Sequence, residues 1–135
     1  MATTASTTSV QELYIAYFGR PADATGLAFY ADALDAGTTT VSAIASSFGT
    51  SAEAASIVAL STDAYVSAVY LQAFGRAYVS ATDGTFWTDA ITAGQTTKEL
   101  AMEQILNGAT GTDATAVTNK VTVANTFTTA TTTDG

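Results

Sequence analysis

The sequence predicts an all-α protein, a compact bundle of about seven or eight short helices built from two tandem copies of a three- to four-helix unit. Three observations predict it. Apolar residues recur at i, i+3, i+4 and i+7, the spacing of one helix face. Most such stretches open on Ser, Thr or Asp and close on Gly, the residues that cap helices at their two ends. The chain also repeats itself. Val10, Tyr14, Phe18, Gly19 and Arg20 return as Val66, Tyr70, Phe74, Gly75 and Arg76. After one inserted residue, Phe29, Asp32, Ala33 and Gly37 return as Phe86, Asp89, Ala90 and Gly94. A shared Phe-Gly-Arg triplet in such a series exceeds what an Ala- and Thr-rich composition would produce by itself.

In the first copy, Ser9 and Glu12 read as a capping box that opens a helix bearing Val10, Leu13, Tyr14, Tyr17 and Phe18. Gly19 supplies a left-handed C-cap and Pro21 stops the chain from continuing helical. Asp23 or Thr25 caps a second helix with Leu27, Tyr30 and Leu34, ended by Gly37. The run Thr38 to Thr40 caps a third, with Val41, Ile44 and Phe48, before Gly49. Ser51 starts a short fourth through Ile57 and Leu60.

The second copy follows the same plan. Thr62 or Asp63 opens a helix carrying Val66, Val69, Tyr70 and Phe74, closed by Gly75. Asp83-Gly84 turns into Phe86, Trp87, Ala90 and Ile91. Thr96 and Glu99 form another capping box ahead of Leu100, Met102, Ile105 and Leu106. A last helix is expected from about Asp113 to Phe127, although its β-branched Thr residues are weak helix formers. The expected organisation is a flexible N-terminus over 1–8, repeat 1 over 9–61, and repeat 2 over 62–108 packed with it as one domain. A C-terminal helix over 109–127 and a linker over 128–135 follow, the linker reading as one that leads to a downstream region.

Composition narrows the chemistry. The 135 residues include 28 Ala and 27 Thr, with 12 Asp+Glu against 4 Lys+Arg, a formal net charge of -8. Without Cys or His there is no disulfide, no thiolate metal site and no imidazole base. An acidic surface argues against nucleic acid as a partner, since little is present to displace phosphate counterions. No run approaches the roughly 20 apolar residues that span a bilayer, so no transmembrane segment is expected. Residues Met1 to Ser9 lack the basic and apolar regions of a secretory signal.

Arg20 and Arg76, the only arginines, each follow a C-cap Gly. They are either anion hooks or structural ties covering helix carbonyls and pairing with Asp32 and Asp89; their place in the repeat favours ties, with Gly19 and Gly75 as the structural caps. The acidic residues read as helix caps or ion-pair partners, none of them held in an apolar pocket with a raised pKa. No catalytic role is expected of them and no enzyme activity of the chain. Asp83 to Asp89 lacks the alternating ligands of a calcium loop and reads as a cap. The aromatics Tyr14, Tyr17, Phe18, Phe29, Tyr30, Tyr70, Phe74, Phe86 and Trp87 read mostly as core. Tyr78, in a loop where the copies diverge, and Tyr65, off its helix's apolar stripe, are candidates to stack on sugar. With Arg76, Asp83 and Lys98 they make up the expected binding residues, and any metal ligands stay unassigned.

Residues 10–54 run Val-x-x-Leu-Tyr-x-x-Tyr-Phe-Gly-Arg-Pro-Ala-Asp-x-x-Gly-Leu-x-Phe-Tyr, then Ala-Gly-Thr and Phe-x-x-Ser-x-Glu. This pattern resembles the bacterial domain of unknown function 4214. The first copy carries it through Gly19, Arg20, Pro21, Asp23, Gly26, Leu27, Ser51 and Glu53; the second keeps Gly75, Arg76, Gly84 and Trp87 but lacks the Pro and the Ser-x-Glu ending. The resemblance implies the N-terminal part of an S-layer or other type I-secreted surface protein, at the cell surface and anchored to lipopolysaccharide. It carries over no ligand residues. An acidic domain facing an anionic glycan would be repelled unless divalent cations bridge them, so calcium is an expected auxiliary. The alternative is a protein–protein packing module for a lattice or adhesin, with copies of itself as partners and no glycan ligand. A ligand-free spacer is a third reading.

Overall fold

The computed structural model describes residues 3–134, with side chains described as far as Thr128. Met1, Ala2 and Gly135, the ends of the expected flexible N-terminus and linker, lie outside the described residues. The described residues form nine helices and no strand: α1 (Thr4–Phe18), α2 (Ala24–Ala36), α3 (Val41–Gly49), α4 (Ala55–Val58), α5 (Thr62–Phe74), α6 (Ser80–Asp83), α7 (Phe86–Thr92), α8 (Lys98–Asn107) and α9 (Gly111–Asp134). The fold is all-α, as the periodicity requires.

Most boundaries fall where caps were expected. Gly19, Gly37 and Gly75 take left-handed φ values of 65°, 76° and 70°. The side chains of Asp23 and Thr40 accept from Gly26 and Ala43 at the starts of α2 and α3. Others differ: α4 spans Ala55–Val58 instead of starting at Ser51, and the short α6 has no expected counterpart. Helix α1 begins at Thr4 rather than Ser9, because Thr3 is its N-cap, and Asp35 accepts hydrogen bonds from the Thr3 amide and the Ser6 hydroxyl, fixing that end to α2. The cap of α8 is Thr97, not Thr96, and that of α5 is Ser61, one residue before Thr62. Helix α9 starts at Gly111 and runs to Asp134, through most of the stretch expected to be a linker. Its threonines are accommodated because the hydroxyls of Thr115, Thr118, Thr122 and Thr126 each donate to the carbonyl four residues back. Composition had marked this segment as a weak helix. Packing outweighs that propensity: Val117, Val121 and Ala124 are buried in the core, whereas the hydroxyl bonds only satisfy the threonines.

The copies meet like against like. Helix α1 packs on α5, its counterpart in the second copy, and α3 packs on α8. Gly49 permits the second contact, since a Cβ there would collide with the Glu99 side chain. The core runs unbroken across the seam, through Val10, Leu13 and Tyr17 of α1, Val66 and Val69 of α5, and Met102 of α8. Phe48 is ringed by Tyr14, Tyr17, Phe18 and Tyr30, with centroids 4.9–6.2 Å away, a geometry worth more than buried area alone.

Phe29 and Phe86, read as core from their spacing, stand 67% and 69% exposed. Each lies edge-on against its sequence neighbour, Tyr30 or Trp87, and that neighbour is the residue packed against the core. The two copies therefore share the same outward aromatic.

Helix α9 covers the outer side of α1. Its partner there is Gln11, which is fully buried: Nε2 donates to Asn125 Oδ1 at 3.0 Å and to the Thr128 hydroxyl at 3.2 Å, and Oε1 accepts from the Ala22 amide at 2.7 Å. No helix among the described residues is long and apolar enough to cross a membrane.

Candidate functional site

Each arginine emerges from its C-cap Gly over an aromatic ring and meets a distant carboxylate, Arg20 one from the end of its own copy and Arg76 one from α9, beyond the second copy. Arg20 lies 5.3 Å from the Tyr14 ring centroid, and its Nε and Nη2 donate to Glu53 at 2.7 and 2.8 Å. Arg76 lies 5.1 Å from the Tyr70 ring centroid and donates to Asp113 through Nε and Nη2, both at 2.8 Å. A second carboxylate, Asp83, accepts from Arg76 Nη1 and Nη2 at 2.9 and 2.8 Å. Both arginines are tied into the fold by carboxylates, but the partners are not Asp32 and Asp89, and the carbonyls they reach, of Pro21 and Ala77, lie beyond the helices. Asp32 and Asp89 are both exposed on the outward sides of α2 and α7, and Asp89 accepts from the Thr85 hydroxyl instead. Glu53, from the Ser-x-Glu ending, is the tie of the first copy. Asp113 does the same work in the second, which lacks that ending. Hydrogen bonds from the arginines hold the Glu53 and Asp83 carboxyls below their ordinary values.

The other expected binding residues are also committed to the fold. Tyr65 is fully buried, and its hydroxyl donates to the Lys98 carbonyl at 2.8 Å, so it is not available to a sugar. Lys98 donates through Nζ to the carbonyls of Val58 and Leu60, closing the C-terminal end of α4. Tyr78 stacks edge-on against Tyr70 and hydrogen-bonds the Gly84 carbonyl. Asp83 is taken by Arg76 and the Val79 amide.

One carboxylate departs from expectation. Glu12, read as half of a capping box, sits partly buried on α1 beside a small cavity of about 70 Å³ that Glu103 also lines. Burial pushes its pKa from 4.5 to about 6. The cavity is well below the several hundred Å³ of ligand pockets, and Glu103 is engaged by the Ser42 hydroxyl at 2.7 Å. Glu12 is a packing feature, with no room beside it for a ligand. Since the folded chain holds this proton more tightly than the unfolded one, stability falls as pH rises from 4.5 to about 6 and stays lower above that. Glu12→Gln is therefore expected to raise stability at pH 7.5 by about 1 kcal/mol, discounted for the partial exposure. It should change little at pH 4, and urea melts at the two pH values check this.

Polar groups without partners among the described residues, Gln72 Oε1 and Lys120, stand where α1, α5 and α9 meet. A cleft of about 320 Å³ opens there, floored by Ile15, Val123 and Ala124 and flanked by Arg20, Gln72 and Lys120. Gly19 shapes it: with φ at +65° it turns the chain out of α1, and a Cβ at this point would stand 2.9 Å from Gln72 Oε1. That oxygen is buried and has no hydrogen-bond partner. Asn119 stands exposed on α9 at the same cleft. Although the chain has three acidic residues for each basic one, the cleft is lined by two bases and no acid.

Sequence reasoning missed Gln72, Asn119 and Lys120. One signal was present: Ala116, Val117, Val123 and Ala124, the helical neighbours of Lys120, offer it no carboxylate. Among the described residues, no group of three or more carboxylates gathers to hold a metal ion.

The fold and site define a duplicated all-α module whose charged groups mostly brace the chain, with a largely apolar cleft at the seam that carries cations and amides at its rim. Residues 1–58, which span α1 to α4, match the family described as Domain of unknown function (DUF4214). The second copy and α9 lie outside that match. Comparison with curated proteins and with solved structures gives no match.

Proposed function

We propose that this domain anchors an S-layer or related secreted protein to the cell surface by binding outer-membrane lipopolysaccharide or polysaccharide non-covalently. The observation that carries the reading is the seam cleft. Its volume of about 320 Å³ falls at the lower end of the range for small-ligand sites. Its apolar floor suits the carbon face of a sugar ring, and its rim supplies amides and cations. The match of residues 1–58 to the domain of unknown function agrees with the motif, whose resemblance implies a surface protein. The reading is of binding without catalysis at the surface of the cell.

Divalent cations enter as bridges on the acidic faces outside the cleft, each shared between a protein carboxylate and the glycan. Purified domain is expected to co-sediment with lipopolysaccharide carrying its full polysaccharide and not with lipopolysaccharide stripped of it. Excess chelator is expected to weaken that binding. Equal binding to the stripped form removes the anchoring reading; equal binding in chelator removes the bridging cations alone.

A second reading, a packing module without glycan, is favoured by an open groove of about 460 Å³ on α5 beside Ser67, Leu71, Ala77 and Tyr78. The equivalent stretch of α1, Gln11, Ile15, Pro21 and Ala22, is the one that α9 covers. Leu71 stands 59% exposed there. Concentration-dependent association in sedimentation velocity, without glycan, would favour this reading.

A further inference from the structure

We infer that the cleft between α1, α5 and α9 is a subsite for an anionic sugar unit, whose acid group is held by Lys120 and whose ring lies on the floor formed by Ile15 and Val123. The inference rests on the anchoring reading for its biological ligand but not for its chemistry. Of the four basic side chains, three are engaged: Arg20 by Glu53, Arg76 by Asp83 and Asp113, and Lys98 by two carbonyls. Lys120 is the one cation without a hydrogen-bonding or ion-pair partner among the described residues, and it lies partly buried at the cleft. Its stem passes beside the end of α5, with Cε 3.7 Å from where a Cβ on Gly75 would stand. The ammonium, 3.9 Å from the same point, stands beside the end of α5 at the cleft.

The neighbouring groups are complementary to a hydroxylated ring. Arg20 spends three of its five N–H donors on Glu53 and the Pro21 carbonyl, which leaves donors for a ligand. Gln72 and Asn119 supply amides, each able to donate and accept. A sugar carrying a carboxylate or a phosphate presents one charge and several hydroxyls, which is the pattern these groups can satisfy. A neutral sugar would leave the ammonium unpaired. A bare anion would leave the apolar floor uncovered.

The test is a titration of the full chain, followed by backbone amide NMR, with galacturonate, glucose 6-phosphate, galactose and inorganic phosphate as probes. Saturable shifts are expected around Gln72, Lys120 and Val123 with at least one of the two acidic sugars at millimolar concentration, with galactose about tenfold weaker, the loss of one charge-assisted hydrogen bond. The tighter of galacturonate and glucose 6-phosphate identifies the acid group. Lys120→Gln is expected to reduce acidic-sugar binding to the galactose level, and Lys120→Arg to retain it. Asn119→Asp, which puts a carboxylate at the rim, is expected to weaken binding without touching Lys120.

Equal binding of galactose and the acidic sugars, or unchanged binding in Lys120→Gln, overturns the charge assignment. Inorganic phosphate as tight as glucose 6-phosphate overturns the sugar assignment. Absence of shifts at the cleft with every probe overturns the subsite. Co-sedimentation with lipopolysaccharide separates the two levels. If wild type and Lys120→Gln bind it equally, the subsite fails and the anchor stands. If wild type does not bind it while the cleft still titrates, the anchor fails and the subsite stands.

Discussion

Gln11→Ala is expected to destabilise the protein by about 3 kcal/mol, because it removes two buried hydrogen bonds to α9 and strips the Ala22 amide of its acceptor. Gln11 fastens α1, the approach to α2 and the second half of α9 at one point. The loss should be local in its first effects. Amides around Val121 to Thr128 are expected to lose hydrogen-exchange protection before those of α5, since α9 is held at its other end by Asp113 on Arg76. Equal loss of protection along both helices would contradict the idea that Gln11 is the distal fastening of α9. Urea melts would give the global value.

The second large effect is expected at Arg76. Arg76→Ala leaves Asp83 and Asp113 facing each other without the guanidinium that joins them, and it exposes the face of Tyr70. A loss of about 2 kcal/mol is expected, kept this low because the side chain is 37% exposed and water screens part of the pairing. Arg20→Ala should cost less, under about 1 kcal/mol, because it ends one more exposed pair with a single carboxylate. The difference between two residues at the same place in the repeat is the informative quantity. Equal losses would mean that the second carboxylate on Arg76 adds nothing. Thermal and chemical melts of the two variants, with Asp83→Ala and Asp113→Ala for double-mutant cycles, measure it.

The helical architecture was legible in the sequence because its signals are local. Capping residues and the apolar period act within one turn, so Asp23, Thr40 and the C-cap glycines could be read directly from the chain. The ion pairs were not legible in the same way. Asp32 and Asp89 were chosen as arginine partners because the repeat preserves them, yet repetition marks a shared backbone position and not a direction in space. Glu53 and Asp113 lie 33 and 37 residues from their arginines, beyond any periodicity argument. Glu53 stood in the motif but was credited only to the resemblance.

Tyr65 failed for a related reason. A position outside the apolar stripe of a single helix can still be buried when a second helix closes over it, as α8 does through the Lys98 carbonyl. The reverse error occurred at Phe29 and Phe86, whose spacing fits a buried face but whose neighbours Tyr30 and Trp87 occupy the core instead. The cleft was the least legible feature. It is assembled from residues about 50 positions apart on three helices, and its one sequence signal was the absence of a partner for Lys120.

The contacts of α1 with α5 and of α3 with α8 have a consequence for how such a molecule could arise. Surfaces that meet their own equivalents are what two identical protomers present across a two-fold axis, the isologous arrangement that is commonest among oligomers. The junction at Leu60 and Ser61 is then a tether joining what geometry treats as two partners. Covalent linkage frees the halves to diverge. The halves do differ: the first has a Pro after its Arg and a Ser-x-Glu ending, while the second is broken into α6 and α7 where the first has the single α2, and gives its arginine a second carboxylate. The seam cleft draws on both halves and on α9, which has no counterpart in the first copy.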